Sequence, residues 1–341
     1  MKNRSFERTE TFQDEILCFY INQDEAPCFL SCVIVIIFMS LLVRFLRRGG
    51  QSRRLHPEGN LEVVLLGTGT PLPNKTRACA STLVLAGAKS FLIDTGRGFL
   101  NNFASTGMAD VTAVFFTHYH SDHFGEFGEF MVTRTLWGAS EPLTVIGPPG
   151  AKKTITNLLD AYSLDNSYRK AHHGSKWSEK GMAVDIQEHI PGVVYDEGGV
   201  TVSMFTVDHD PASPAVGYRF TYKNRVVVIS GDTKKVQAMV EMADGADILV
   251  HDVASARIVD LIQGFLDPRW GEIARDVLRY HALTHEVAEI ARDAKVKKLV
   301  LTHFTPAFFS NRLLGAFFTR GMHKIFKGKI IVGRDKMRVS S

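Results

Sequence analysis

The chain has 341 residues, of which 45% are hydrophobic and 22% charged, and this ordinary balance excludes wholesale disorder and low-complexity architectures. Its 40 basic and 36 acidic residues leave a net charge of +4, which is too small to indicate nucleic-acid binding by itself. Three of the four cysteines lie within the first 32 residues, which excludes a disulfide framework or a cysteine-based zinc site in the rest of the chain.

The first 60 residues differ in composition from the rest of the chain. Residues 1–25 are polar and of mixed charge, residues 26–43 contain no charged side chain, and residues 44–60 form a basic linker with five arginines. A cleaved signal peptide is disfavoured because the apolar run begins late and arginines come directly after it. We predict a retained single-pass membrane anchor at residues 26–43, with a buried helix of the globular domain as the alternative. The basic linker favours the cytoplasmic side for the catalytic domain, residues 61–341.

From residue 61 onward, short apolar strand patterns alternate with helical patterns, which predicts an α/β fold. Residues 162–199 are rich in glycine, serine, asparagine, histidine and charge, and they predict a long loop or lid. The expected strands are 61–66, 81–86, 90–93, 111–116, 200–205, 216–222, 225–230, 247–251 and 298–302. The expected helices are 124–137, 151–161, 234–242 and 284–294.

The densest chemical signal is the segment THYHSDH at residues 117–123, directly after a predicted strand. Polar loops at strand ends are where α/β sheets place their sites, although a solvated loop is the alternative. This segment contains four possible metal ligands, and three more occur later in the chain, each after an apolar strand. All seven should therefore lie at one edge of a sheet. The donors are His118, His120, Asp122, His123, His209, Asp232 and His303. Five imidazoles and two carboxylates suit zinc, manganese or iron, and their number fits two bridged ions.

This HxHxDH pattern at residues 118–123, together with its three distant partners, resembles the metallo-β-lactamase superfamily. The segments LGTGTP at 66–71 and DTGRG at 94–98 are more closely similar to its ribonuclease Z and arylsulfatase-like branch, as are residues 226–232 and 299–303. The resemblance extends from about residue 61 to 306. It implies a metallo-β-lactamase αββα sandwich and a hydrolase with two zinc ions.

The resemblance also implies a role for each site residue. His118, His120 and His209 would hold one zinc ion. Asp122, His123 and His303 would hold the second, and Asp232 would bridge the two. The expected catalytic residues are Asp122, Asp232 and His281, of which His281 would assist the leaving group; a core histidine is the alternative for it. Asp94 would hydrogen-bond the histidine loop, with a helix cap as its alternative. His251 and its neighbour Asp252 would support the site from behind the ligands or serve a structural role.

Ribonuclease Z enzymes of the short bacterial form carry a Gly/Pro-rich arm that grips tRNA, placed between the positions of His209 and Asp232. Here residues 210–231 suffice only for a turn and a hairpin, while segments at 160–165 and 198–209 resemble the arylsulfatase-like members. We therefore predict a dinuclear zinc hydrolase that cleaves a phosphate or sulfate ester, arylsulfatase- or phosphodiesterase-like, by attack of a metal-bridging hydroxide. The alternatives are a tRNA 3′-end processing endoribonuclease and a non-catalytic membrane-tethered binding module.

Residues 306–326 carry apolar side chains interleaved with Arg312, Arg320 and Lys324. Their helical spacing predicts core packing, and a basic amphipathic element at a membrane surface is the alternative. The expected substrate is a small-molecule or amphiphilic ester, tRNA is not expected as a partner, and a homodimer is left open. The apolar side chains are Phe308, Phe309, Leu313, Leu314, Phe317, Phe318 and Phe326.

Overall fold

The computed structural model describes residues 61–308 and 310–341. The predicted anchor at residues 26–43, the polar segment before it and the basic linker after it all lie outside the described residues. Within the two described ranges, no helix is both long and apolar enough to cross a membrane.

A seven-stranded sheet contains most of the strands from the first half of the described chain, in the order β14-β1-β2-β3-β4-β5-β6. Its strands are β1 (Leu61–Gly67), β2 (Ser81–Ala86), β3 (Lys89–Ile93), β4 (Ala113–Phe115), β5 (Leu143–Gly147), β6 (Val184–Glu188) and, from the end of the chain, β14 (Arg338–Ser340). Strands β1 to β4 are mostly fully buried on both faces, which explains their nearly continuous apolar sequences.

A second seven-stranded sheet has the order β13-β12-β11-β10-β9-β8-β7. Its strands are β7 (Gly192–Glu197), β8 (Val200–Val207), β9 (Ala215–Tyr222), β10 (Arg225–Ile229), β11 (Ile248–Ala254), β12 (Lys298–Thr305) and β13 (Lys329–Val332). One hydrophobic cluster joins the inner faces of the two sheets through side chains such as Phe91 and Phe115 on one and Phe220 and Val250 on the other.

Helices cover the outer face of each sheet. A cluster around Phe103 and Phe130 packs α1 and α3 on the first sheet, and one around Ile290 and Phe318 packs α9 and α10 on the second. The α/β sandwich of two sheets between helices is therefore confirmed. The helices are α1 (Phe99–Ala104), α2 (Ser121–Phe124), α3 (Phe127–Leu136), α4 (Ala151–Asp160), α5 (Ser163–His173), α6 (Gln237–Met242), α7 (Ala256–Ile262), α8 (Pro268–Val277), α9 (Thr284–Asp293), α10 (Arg312–Phe318) and α11 (Met322–Ile325).

The two sheets repeat one topology. In the first sheet, the three pairings from β14 to β3 are antiparallel and the three pairings from β3 to β6 are parallel. In the second sheet, the three pairings from β7 to β10 are antiparallel and the three from β10 to β13 are parallel. Strands that run in the same direction end at the same edge of their sheet, which is where α/β proteins bind ligands. The loops after β3, β4, β8 and β10 therefore collect at one edge of the sandwich.

The prediction of a long loop over residues 162–199 is wrong. That segment contains α5, β6 and β7, joined by short turns. Helix α5 buries none of its side chains, and β6 and β7 are edge strands with mostly exposed or half-buried residues. Because these elements contribute little to the core, their sequences lack the apolar period by which strands and helices are predicted.

Candidate metal centre

The loop after β4 and the short helix α2 together carry four of the seven predicted donors. His120 is the last extended residue of the loop, and α2 begins directly after it at Ser121. His118 and His120 therefore project from extended chain, whereas Asp122 and His123 project from the first helical turn. This change of backbone conformation divides the four donors into two pairs.

The first pair meets a histidine from the other sheet. His118 Nε2 lies 3.0 Å from His120 Nδ1, and His209 Nε2, from the end of β8, lies 3.4 Å from the same His120 atom. The carbonyl oxygen of Tyr280 lies 2.8 Å from His209 Nδ1 and accepts a hydrogen bond from its N–H, which leaves Nε2 with a free lone pair. The donor atoms of His118, His120 and His209 all lie within 4.8 Å of one another.

The second pair meets His303 from β12. His303 Nε2 lies 3.2 Å from Asp122 Oδ2, and His123 Nε2 lies 3.8 Å from that oxygen. His303 has a left-handed backbone, with φ of 44°, and the pairing of β11 with β12 shifts register beside it. A non-glycine residue in this conformation costs about 1 kcal/mol or more, and such irregularities occur where a strand must re-aim one side chain.

Asp232, which comes after β10, lies between the two groups. Its Oδ2 atom is 3.2 Å from His123 Nε2, 3.2 Å from His303 Nε2 and 3.8 Å from His209 Nε2. One carboxylate oxygen is therefore close to donors of both triads. This is the position that a bridging ligand between two ions requires.

Five of the seven donors have the protonation state that metal binding requires. Burial acts to lower the pKa of the other two, His123 and His303, but nearby carboxylates outweigh it and raise that pKa, so these two would lose a proton when a metal ion binds. Burial lowers the pKa of His118, His120 and His209, so these imidazoles are neutral at pH 7. Burial acts to raise the pKa of Asp232, but the charges of His303 and His123 outweigh it and hold that pKa well below its usual range. Metal ligands must be neutral imidazoles or ionised carboxylates.

The residues present fit a divalent metal ion. His123 Nε2 is buried and makes no hydrogen bond of good geometry among the described residues, although Asp232 Oδ2 lies 3.2 Å from it, while its Nδ1 lies 2.8 Å from Asp94 Oδ2. A cation bound by both Nε2 and Asp232 would replace this poorly directed contact between two buried polar groups. The nitrogen and oxygen donors match a zinc-type site rather than a calcium site.

Asp94 fixes the loop that carries the donors, as the sequence predicts. Its Oδ1 accepts a hydrogen bond from the backbone N–H of Thr117 at 2.9 Å, and its Oδ2 accepts one from the Thr117 hydroxyl at 2.8 Å. Only glycine fits at residue 96 beside it, because a Cβ there would lie 2.1 Å from the carbonyl oxygen of Asp122. The turn after β3 therefore packs directly beneath the donor loop.

Comparison with known proteins identifies the family. The profile described as "Beta-lactamase superfamily domain" matches residues 89–304. The ribonuclease Z of Mycolicibacterium paratuberculosis is 38% identical over 289 residues, which cover 82% of this chain and 98% of the relative. The chain belongs to the metallo-β-lactamase superfamily. It is a metal-dependent hydrolase of the ribonuclease Z branch that acts on ester bonds, as its motifs predict.

Solved structures agree with this family's fold. The metallo-β-lactamase fold protein YhfI from Bacillus subtilis covers 83% of this chain with a TM-score of 0.63 at 17% identity, and all of YhfI is matched. The human tRNase Z short form covers 82% of this chain and 98% of its own, with a TM-score of 0.59 at 21% identity.

In this metallo-β-lactamase superfamily hydrolase, His281 lies beside the donors. Its ring is 4.9 Å from that of His209, and one of its nitrogens lies within 4.8 Å of both His209 and Asp232 donor atoms. Its Nδ1 lies 2.8 Å from Asp252 Oδ2, so Nε2 is the nitrogen that is free to face a substrate. The sequence prediction that placed His281 at the site therefore agrees with its position in the structure.

Sequence reasoning named His251 and Asp252 together, as residues that support the site or serve a structural role, and the structure separates them. His251 Nδ1 contacts only its neighbour Asp252, at 2.7 Å from the carbonyl oxygen and 3.0 Å from Oδ1, and it does not reach the donors. Asp252 is fully buried between His251 and His281, whose hydrogen bonds lower its pKa against the effect of burial. The feature of the sequence that indicates Asp252 is its place near the end of an apolar strand, because His209 and Asp232 also come after apolar strands.

Proposed function

We propose that this protein is a tRNA 3′-end processing endoribonuclease that works with two zinc ions. The observation that carries the proposal is the 38% identity with mycobacterial ribonuclease Z, because it extends over 98% of the relative rather than over a motif. A second relative named ribonuclease Z, from Mycobacterium sp. (strain KMS), is 40% identical over 250 residues. The seven convergent donors supply the metal site that such a reaction needs.

This proposal replaces the arylsulfatase-like function, which the comparisons do not support, and it conflicts with the expectation that tRNA is not a partner. Residues 210–231 do form only a turn and the β9–β10 hairpin. However, 289 aligned positions cover 98% of the mycobacterial relative and 82% of this chain, which leaves no space for an inserted arm. The missing arm therefore does not distinguish this chain from proteins that bear the name ribonuclease Z.

The site supports phosphodiester hydrolysis through three groups of residues. Zinc ions bound by the seven donors would supply positive charge beside the scissile phosphate and lower the pKa of a water molecule. Asp94 and Thr117 hold the donor loop rigid, so little reorganisation is needed during the reaction. His281, oriented by Asp252, holds a proton at Nε2 and gives it to the ribose oxygen that leaves.

The zinc-loaded protein should cut a precursor tRNA with a short 3′ trailer at a single position. Its kcat/KM on that RNA should exceed the value on bis(p-nitrophenyl) phosphate by about 10²-fold or more, because contacts remote from the scissile bond raise specificity. The matched control is the same trailer on an RNA whose acceptor stem is unpaired, which should be cut poorly. Rapid hydrolysis of p-nitrophenyl sulfate with intact precursor tRNA would restore the arylsulfatase function, and no hydrolysis of any substrate would favour a binding module.

We also propose that residues 26–43 anchor the protein in a membrane and that the catalytic domain lies on the cytoplasmic side. The support is the uncharged run of 18 residues and the five arginines that come after it. In a cell fractionation, the full chain should resist extraction from membranes at pH 11, whereas a chain that begins at residue 52 should be released. Full release of the full chain at that pH would contradict the anchor.

A further inference from the structure

Helix α10 is apolar on both of its faces. Phe318 is 2% exposed and packs against Phe304 and Phe308, so this face belongs to the core, as the helical spacing predicts. The opposite face carries Leu313, which is 81% exposed, and Phe317, which is 37% exposed; Leu314, at the border between the two faces, is 43% exposed. Core packing therefore does not account for these three side chains, and a helix that is apolar all round is expected to be covered on both sides.

The chain around α10 is strongly basic. Residues 294–334 contain nine lysines and arginines and no aspartate or glutamate. Arg312 and Arg320 flank the exposed apolar face of α10 at its two ends, and Lys324 lies on α11; all three are exposed. The net charge of the whole chain is only +4, so the positive charge is concentrated on this segment. An apolar face with a cationic border complements an anionic, partly apolar partner.

A groove of about 250 Å³ lies beside α10. Its lining includes Arg77, Arg312, His323 and Arg334 and contains no acidic side chain among the described residues. Arg77 is buried there between the rings of Phe304 and Phe308, and its Nη2 has no hydrogen-bond partner among the described residues. The other nitrogens of this guanidinium donate to the Thr68 hydroxyl and to the carbonyl oxygens of Phe308 and Gly333, and anionic oxygens such as those of phosphate or carboxylate are suitable partners for the remaining one.

A second group of exposed apolar side chains lies on the segment from α7 to α8. Phe265, between these helices, is 89% exposed, and Trp270 on α8 is also exposed. The start of α7 contacts the turn after α10, because Arg257 Nη1 donates a hydrogen bond to the carbonyl oxygen of Arg320 at 3.4 Å. Aromatic side chains of this kind favour the interface between water and lipid.

We propose that α10 and the groove beside it form a second membrane-contact surface, which binds phospholipid bilayers that contain anionic lipids. Leu313, Leu314 and Phe317 enter the layer below the headgroups, while Arg312 and the groove contact headgroup phosphates. RNA would also bind the arginines, but the bases and phosphates of RNA offer no partner for two exposed leucines. The bilayer is therefore the occupant that uses both the apolar and the basic residues. The proposal is independent of the reaction catalysed.

The test uses residues 52–341, which form one compact unit with both complete sheets and the three hydrophobic clusters. This chain lacks residues 26–43, so binding cannot come from the proposed anchor. It should sediment with vesicles of phosphatidylserine and phosphatidylcholine at a ratio of about 3:7, and about tenfold less with pure phosphatidylcholine. The double variant Leu313→Asp with Phe317→Asp should reduce partition to anionic vesicles by about tenfold or more, because two inserting side chains are lost.

Two matched controls make the result specific. Leu164→Asp changes a leucine that is 65% exposed on α5, and Lys153→Glu reverses an exposed charge on α4; both should bind vesicles like the parent chain. Circular dichroism and zinc content verify that each variant is folded. The proposal is overturned if the parent chain ignores anionic vesicles or if the double variant binds them as well as the parent. It is also overturned if Arg312→Glu weakens precursor-tRNA binding but leaves vesicle binding unchanged, which would assign the surface to RNA.

Discussion

Replacing Asp232 with alanine is expected to abolish hydrolysis and to reduce the bound zinc from about two ions per chain to less than one. The reason is that Oδ2 of this carboxylate lies within 3.8 Å of donor atoms in both triads. Its loss would remove a ligand from both ions and leave Asp122 as the one carboxylate that His123 and His303 share among the described residues. Activity should fall by about 10⁴-fold or more, since both metals contribute to the same step.

Metal analysis of the purified variant, with kinetics on precursor tRNA, measures both effects. Asp247→Ala is the matched control, because Asp247 is equally buried but lies before β11, where it binds Arg225 and Lys297 instead of the donors. The Asp247→Ala variant should unfold at a lower temperature than the parent chain but should keep its metal and most of its kcat. If Asp232→Ala retained two ions per chain, the bridging role would be wrong.

Replacing His281 with alanine should leave both ions in place and lower kcat on RNA by about 10²-fold to 10⁴-fold. The expected loss depends on the leaving group. A ribose oxygen needs a proton as it departs, whereas p-nitrophenolate leaves readily without one, so the same variant should lose less than about tenfold on bis(p-nitrophenyl) phosphate. Asp252→Asn should change rates in the same direction by a smaller factor, because it disturbs only the orientation of His281.

The comparison of the two substrates separates proton donation from a structural role. A variant that had merely loosened the site would lose activity on both substrates equally. His285→Ala changes an exposed histidine on α9, four residues along the chain, and should match the parent on both. Loss of metal from His281→Ala would instead make His281 a ligand and remove the proposed acid from the mechanism.

The sequence allowed the centre of this fold to be predicted better than its edges. Strand β2 was predicted at residues 81–86 and is observed there, because a buried strand shows as an uninterrupted apolar run. The exposed α5 and the edge strands β6 and β7 were missed, since nothing in their sequences records which neighbour they pair with. The predicted anchor lies outside the described residues and remains a prediction.

The candidate site was predictable for a similar reason. Each donor comes after or ends an apolar strand, so topology alone brings His118, His209 and Asp232 to one edge. Asp252 was named only together with His251, because the sequence does not reveal its contact with His281, which comes 29 residues later. The exposed face of α10 was also unpredictable, because a helix that is apolar all round does not reveal which side faces the core.

The repeated topology of the two sheets has a consequence for how the protein is held together. The first half of the chain supplies four donors and the second half supplies three, so neither half contains a complete triad. Each ion would take two ligands from residues 118–123 and one from the opposite sheet, with Asp232 added from that same opposite sheet. Bound ions would therefore act as cross-links between two structural repeats, and the free energy of metal binding would also be free energy of docking one repeat on the other.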